Sequence, residues 1–133
     1  MIQNKKKLVW ITGGGTGIGK ELAKRFSDKN FNVVVSGRRI KKLNDVKKYS
    51  PYNIFPIMLD VANSKKCKDV SKIILKKFGF IDIIILNAAT YNPGSLDVLE
   101  PEKIKKILDI NILGPINCFA PVLEDMKKKN KGH

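Results

Sequence analysis

The sequence has little of the residue types that metal sites and histidine-based catalysis need. Its one histidine is His133, and its two cysteines, Cys67 and Cys118, form no C-x-x-C pair. A zinc site takes clustered cysteine and histidine ligands, and a catalytic triad needs a histidine positioned inside the fold. We therefore expect no metal site and no histidine-dependent chemistry. The cysteines are expected to be reduced and structural, as in a cytosolic protein.

Long apolar runs are also missing. The longest, Ile81–Leu86, is interrupted by Asp82, whereas a membrane span needs roughly 20 apolar residues. The basic start of the chain is followed by the short run Leu8–Ile11, too short for the core of a signal peptide. We therefore expect a cytoplasmic protein without membrane association.

Acidic residues are scarce. The chain has 12 acidic and 26 basic residues, for a net charge of +14, and such a field attracts polyanions, including nucleic acid or a phosphorylated cofactor. Most lysines are scattered and can simply be the solvated faces of helices. Two lysine runs, Lys5–Lys7 and Lys127–Lys129, stand near the two ends. Nucleic-acid binding is the weaker alternative, because helix-turn-helix, zinc and RNA-binding aromatic signatures are absent.

The order of apolar segments predicts an α/β fold. With 43% hydrophobic residues, residues 1–133 can bury one core, so we expect a single domain in which strands alternate with helices. Strands are predicted at Leu8–Ile11, Asn32–Ser36, Asn53–Leu59 and Ile81–Leu86. Helices are predicted at Gly17–Lys29, Ile40–Lys48, from Asn63 or Ser64 to Phe78, and from Pro101 to about Lys128 with a kink near Gly114 and Pro115.

These elements predict a Rossmann-type, doubly wound parallel sheet. Right-handed crossovers and the position of the glycine-rich turn favour the strand order 3-2-1-4. Pro56 lies in the third strand and places it at an edge, because proline cannot donate to a ladder. The fourth strand would form the other edge. An open apolar edge predicts self-association or poor solubility.

The strongest functional signal is the turn Thr12-Gly13-Gly14-Gly15-Thr16-Gly17-Ile18-Gly19. It follows a predicted strand and opens a helix, which is the context of a dinucleotide site. Glycines allow backbone N–H groups to approach a pyrophosphate, and the helix N-terminus is favourable for an anion. The alternative is a tight turn without a ligand.

Arginines take the place of an acid at the end of the second strand. The segment Ser36-Gly37-Arg38-Arg39 ends that strand, and no acid occurs from Phe31 to Asn44. An acid here would accept hydrogen bonds from the ribose of NAD, whereas arginine binds a 2′-phosphate through paired, charge-assisted bonds. We expect NADP(H) over NAD(H), with Arg38 as the main contact and Arg39 as the second. The alternative is two solvent-facing arginines.

The glycine spacing T-G-x-x-x-G-x-G resembles the short-chain dehydrogenase/reductase family. Further segments match the family in order, namely Asp60-Val61, Asn87-Ala88-Ala89, Ile110–Gly114 and the tail Phe119–Lys129. Leu86 and Ala89 depart from the family pattern N-N-A-G. The resemblance, with the glycine turn, implies cofactor contacts at Thr12, Gly13, Gly15, Thr16, Gly17, Ile18, Gly19, Asp60, Val61, Asn87, Ala88 and Ala89.

The resemblance also implies hydride transfer between NADP(H) and a carbonyl or alcohol substrate. Asn111 would help to hold a proton-relay water at a helix kink, and the tail would make homo-oligomer contacts. The family's general acid is a tyrosine with a lysine four residues later. Tyr49, Tyr52 and Tyr91 are not followed by such a lysine.

We therefore expect residues 1–133 to be an NAD(P)-binding Rossmann domain that lacks its C-terminal half, the cofactor-binding part of a longer oxidoreductase, inactive by itself. The alternative is a non-catalytic dinucleotide-binding module or degenerate paralogue. The loop at residues 90–96 is expected to form a pocket wall, although Tyr91 is more simply an exposed loop residue. The sequence does not identify the substrate.

Overall fold

The computed structural model describes residues 5–92 and 100–133 and shows a parallel sheet covered by helices on both faces. Its strands are β1 (Leu8–Thr12), β2 (Asn32–Gly37), β3 (Ile54–Met58) and β4 (Ile83–Leu86). Its helices are α1 (Gly17–Asp28), α2 (Ile40–Lys47), α3 (Ser64–Phe78), α4 (Pro101–Leu108) and α5 (Gly114–Lys129), with a π-helical turn, Asp109–Leu113, between the last two. The order β3-β2-β1-β4 confirms the predicted arrangement.

The central strands β1 and β2 are apolar on both faces, as expected for strands covered by helices. On one face, Val9 and Val33 pack with Ala23 of α1 and Leu43 of α2. On the other face, a separate cluster combines Trp10 and Val34 with residues of α3 and α5, including Cys67, Ile74, Cys118 and Val122. The two clusters fix the sheet between its helical layers.

Most predicted element boundaries agree with the structure to within two residues. Asn63 caps α3, where its side-chain oxygen accepts from the N–H of Lys66 at 3.0 Å. Gly79 ends that helix in the left-handed region, with φ of +84°. The first strand-forming residue of β4 is Ile83 rather than Ile81. Asp82 instead accepts the N–H of Leu8 at 2.8 Å through its carboxylate.

The predicted kink is a π-helical turn that lies just before Gly114 rather than at it. Pro115 lacks the N–H that would bond the carbonyl of Asn111 in a regular α-helix. Gly114 also packs closely on Val61, since a Cβ on this glycine would lie 2.7 Å from the Val61 Cγ2. The missing donor and the close approach together account for the irregular turn.

The sheet edges differ from each other. β3 pairs with β2 alone, and so Pro56 lies in an edge strand as predicted. The expected open edge of β4 is covered at its beginning. His133 donates its N–H to the carbonyl of Asp82 at 3.0 Å, and its carbonyl accepts from the N–H of Ile84 at 2.9 Å. Leu86, at the end of β4, is exposed.

The helical run from Pro101 to Lys129 is long and apolar enough, by length and composition, to cross a membrane. It is the one run with these properties in the described part of the chain. Helices in the core of a globular domain share these properties, and Ile110, Cys118 and Val122 of this run belong to the packed core.

One buried polar contact lies at the centre of the sheet. The indole Nε1 of Trp10 donates to the Ser36 Oγ at 3.0 Å, and both residues are fully buried. A buried N–H without a partner is costly. The hydroxyl of Ser36 therefore makes the large tryptophan compatible with the interior.

We predict that Ser36→Ala lowers the free energy of unfolding by about 1–3 kcal/mol, because the Trp10 N–H then has no acceptor. Urea unfolding followed by circular dichroism measures this change. In the background of Trp10→Phe, which has no indole N–H, the same substitution should cost much less. Equal costs in the two backgrounds would show that the hydrogen bond does not stabilise the fold.

Candidate functional site: a cofactor groove at the carboxyl ends of the strands

A groove of about 250 Å³ lies at the edge of the sheet where all four strands end. In an open parallel sheet, the loops at the carboxyl ends of the strands form the usual ligand crevice. The predicted site residues that line the groove are Gly13, Gly15, Thr16, Arg38, Arg39, Asp60, Val61, Asn87, Ala88 and Ala89. The structure thus brings together residues from four separate loops.

Two glycines of the turn after β1 are required by close contacts. Gly13 has φ of +67°, and a Cβ on it would lie 2.9 Å from the Cα of Ala88. A Cβ on Gly19 would lie 2.3 Å from the carbonyl oxygen of Gly13. Any larger residue at either position would push the turn away from β4 or from α1. The turn consequently presents the backbone of Gly13 and Gly15 to the groove.

Asn87 and Thr12 hold this turn against the end of β4. The Asn87 Nδ2 donates to the carbonyls of Thr12 and Gly13, both at 3.1 Å. The Thr12 Oγ1 accepts from the N–H groups of Asn87 and Ala88 at 3.0 and 3.1 Å, and it donates to the carbonyl of Ile85 at 3.4 Å. Thr12 is buried, and its side chain fixes the backbone at the end of β4 relative to the glycine turn.

The N-terminus of α1 opens beside the glycine turn. Its first turn contains no acid, and Thr16 makes no side-chain cap. The first amides of a helix have no partners within the helix, and its dipole favours an anion there. Gly17 and Ile18 begin this helix outside the groove lining. Ile18, which the sequence analysis predicts as a cofactor contact, is 73% exposed.

Cations line the end of the groove beside β2. Arg38 and Arg39 follow that strand directly, and both side chains are exposed. Lys42, in the first turn of α2, lines the same part of the groove, although the sequence reasoning did not select it. Its signal was available, because one helical turn separates it from Arg39.

The loop after β3 forms another wall of the groove. Leu59 and Val61 are buried beside it, and Ile110 contributes from the π-helical turn. Asp60 is exposed, and one of its carboxylate oxygens accepts from the N–H of Ala62 at 3.0 Å. An apolar surface with one polar group at its rim can accept a flat heterocycle. Sequence reasoning found Asp60 and Val61 but missed Leu59 and Ile110.

Asn111 lies in the π-helical turn and is not among the lining residues of the groove. Its Nδ2 donates to the carbonyl of Thr90, and its Oδ1 accepts from the N–H of Thr90, both at 2.8 Å. This reciprocal pair ties the turn to the segment after β4. The predicted wall at residues 90–96 lies partly outside the described residues, and Tyr91 is exposed as expected.

The two cysteines meet between α3 and α5. Their Sγ atoms are 3.6 Å apart, both residues are fully buried, and no disulfide joins them. The hydrogen bond to Cys67 and burial together raise the pKa of the Cys118 thiol far above its ordinary value. A protonated, buried thiol is a poor nucleophile. Both cysteines belong to the buried cluster between the sheet and these helices.

The residues present fit a phosphorylated dinucleotide. The glycine cradle and the helix N-terminus suit a pyrophosphate, the arginines suit a further phosphate, and the wall after β3 suits a heterocycle. Within the described residues, no group of three or more histidine, cysteine, aspartate or glutamate side chains has the arrangement of a metal site.

Comparison with known proteins agrees with this geometry. The family model described as short chain dehydrogenase matches residues 7–133. An uncharacterized oxidoreductase of Listeria monocytogenes is 32% identical over 97% of the chain and 53% of its own length. The chain spans about half the length of the curated relatives it matches.

Solved structures show the same similarity. A short chain dehydrogenase from Bacillus anthracis has a TM-score of 0.88 and 32% identity, covering 94% of this chain and 53% of its own. The structure of ElxO with NADP bound has a TM-score of 0.87 and 31% identity, and the match covers 96% of this chain and 53% of the ElxO chain. The family model covers nearly the whole sequence, and the glycine turn and the Asn87 contacts agree with it. The chain therefore belongs to the short-chain dehydrogenase family of oxidoreductases.

Proposed function

We propose that this chain is the cofactor-binding part of an NADP-dependent oxidoreductase that acts on a small carbonyl or alcohol substrate. The observation that carries the proposal is the pairing of a glycine cradle with Arg38 and Arg39 at one groove. The bound nicotinamide would supply the hydride chemistry, while this chain binds and orients it. A cytoplasmic location is part of the proposal.

The preference for NADP rests on charge. The part of the groove beside β2 is lined by Arg38, Arg39 and Lys42. Among the described lining residues, the one acidic residue is Asp60, which lies on a different loop. A 2′-phosphate would gain charge-assisted hydrogen bonds from arginine, whereas an acid at this place would repel it. The similarity to ElxO with NADP bound supports this choice.

The catalytic step needs residues beyond those that this sequence contains. Asn111 is the one residue of the expected catalytic set within the 133 residues, and its side-chain amide is already paired with Thr90. In this pairing Asn111 holds the π-helical turn in place, and its backbone carbonyl is the group that Pro115 leaves without a helical donor. We propose that this carbonyl holds a water for proton transfer in the complete enzyme.

A second candidate is a dinucleotide-binding module without catalysis. It is favoured by the absence of a tyrosine with a lysine four residues later among the 133 residues. Both candidates share the groove and the cofactor, and so they differ in turnover rather than in binding.

We also propose a homo-oligomer. The exposed apolar side chains of Ile104, Leu108, Ile112 and Ile116 recur every four residues along α4, the π-helical turn and the start of α5. This spacing places them along one side of the helical run. A continuous apolar stripe of this kind is typical of an interface, and it lies ahead of the tail, Phe119–Lys129, that the sequence pointed to.

We predict that Arg38→Ala weakens NADPH binding by roughly 10- to 100-fold, because charged hydrogen bonds contribute about 1.5–3 kcal/mol, and leaves NADH binding nearly unchanged. Titration of each cofactor, followed by nicotinamide fluorescence, measures both affinities. Lys41→Ala is the matched control, since Lys41 is exposed on α2 and is not among the groove lining. Equal affinity of the original chain for NADPH and NADH would refute the preference.

We predict that the 133-residue chain binds NADPH but does not oxidise it in the presence of small aldehydes and ketones. The reason is that the chain lacks the tyrosine that would donate a proton to the carbonyl and the lysine that would lower the pKa of that tyrosine. Nicotinamide absorbance measures turnover, and the binding titration shows in parallel that the chain is folded. Turnover that is lost in Arg38→Ala would contradict the prediction.

We predict that the double variant Ile112→Lys, Ile116→Lys is smaller in solution than the original chain, because two charges interrupt the apolar stripe. Light scattering coupled to size exclusion gives the mass. Ile73→Lys is the control, since Ile73 is similarly exposed but lies on α3. If the double variant keeps the mass of the original chain, or if that chain is itself monomeric, the stripe is not the interface.

A further inference from the structure

The two lysine runs at the ends of the sequence meet in the fold. Lys5, Lys6 and Lys7 precede β1, while Lys129 and Lys131 lie at and just after the end of α5. These five lysines surround a concave surface of about 370 Å³ together with Phe78, Gly79, Phe80 and Asp82. We call this surface the lysine cup. It lies at the amino-terminal edge of the sheet, opposite the cofactor groove.

The cup has a defined aromatic floor. The ammonium groups of Lys129 and Lys131 lie over the ring of Phe80, at 4.6 and 4.3 Å from its centroid. The ring quadrupole attracts each of the two ammonium groups. Lys129 also donates to the carbonyl of Gly79 at 3.3 Å. These two ammonium groups therefore lie on the floor of the cup, while the Lys6 Nζ donates to the Asn53 Oδ1 at 2.7 Å.

The charge within the cup is not balanced. Asp82 lines it, but one of its carboxylate oxygens already accepts the backbone N–H of Leu8. Asp125 pairs with Lys129 at 3.2 Å from the side of α5. Five ammonium groups and two carboxylates leave an excess of three positive charges. Like charges at such short range repel, and a bound anion would remove that cost.

From the two ammonium groups held on the Phe80 ring and the uncompensated charge of the lysines around them, we propose that the lysine cup binds a compact, multivalent oxyanion of the polyphosphate class. Several oxygens on one small ion can each accept from a different ammonium group. A concave site favours an ion that enters it over a flat membrane or a long duplex, which would contact its rim. The surrounding positive field would speed the encounter.

The cup is separate from the cofactor groove. β1 connects the two, since Lys7 precedes it and Gly13 follows it. At about 3.3 Å per residue, they lie roughly 20 Å apart along the strand. The proposal therefore does not depend on the cofactor preference, and each can fail while the other holds.

The test is calorimetric titration of the folded chain with sodium tripolyphosphate at low ionic strength. We expect saturable binding that weakens steeply when sodium chloride is added, because exposed charges are screened. The double variant Lys129→Gln, Lys131→Gln should bind roughly tenfold more weakly or worse, since it loses two charge-assisted contacts. Circular dichroism confirms that each variant is folded.

Two controls separate the cup from other sources of binding. Lys65→Gln, Lys68→Gln removes the same charge from exposed positions near the start of α3, and should change the affinity by about twofold at most. Arg38→Ala, Arg39→Ala removes the two arginines proposed to bind the 2′-phosphate in the cofactor groove and should leave tripolyphosphate binding in place.

Three outcomes would overturn the proposal. The first is no saturable binding by the original chain at low salt. The second is an equal loss of tripolyphosphate affinity in the Lys129→Gln, Lys131→Gln variant and in the Lys65→Gln, Lys68→Gln variant, which would mean that the net charge of the chain binds the anion without a defined site. In the third, short duplex DNA or vesicles of anionic lipid bind through Lys129 and Lys131 while tripolyphosphate does not, and the partner is then a macromolecule.

Discussion

The hydrogen bonds between Asn87, Thr12 and Gly13 determine where the groove can form. Asn87 lies just after β4, while Thr12 ends β1 and Gly13 opens the glycine turn. The bonds therefore connect two neighbouring strands at the point where their chains diverge. They also fix the carbonyl of Gly13, against which Gly19 packs without room for a side chain. These contacts fix the ends of β1 and β4 and the start of α1 relative to one another, and the positions of these three elements determine the shape of the groove.

The fold was predictable because its signals are local and periodic. Alternating apolar runs and helical segments gave the strand order, and Asn63, Gly79 and Pro101 marked helix ends where the structure has them. The glycine turn and the arginines after β2 likewise stood out in the sequence. Their meeting at one edge follows from parallel topology, in which carboxyl ends share a side.

The remaining details depend on contacts between distant residues. The role of Thr12 as an internal support could not be read from its neighbours, since its partners lie after β4. Ile18 has the spacing of a core residue but is exposed at the start of α1. Leu59 and Ile110 border the groove only because the loop after β3 and the π-helical turn share one core cluster. The meeting of the two lysine runs is equally a product of tertiary structure.

Trp10 is the single tryptophan of the sequence, and its position gives the protein a specific optical property. The indole is fully buried in β1, two residues before Thr12, and therefore about 7 Å along the strand from the end that borders the groove. A reduced nicotinamide absorbs light in the range in which tryptophan emits. Excitation of this one indole would thus transfer energy to a cofactor held in the groove, and its quenching would report occupancy from within the core.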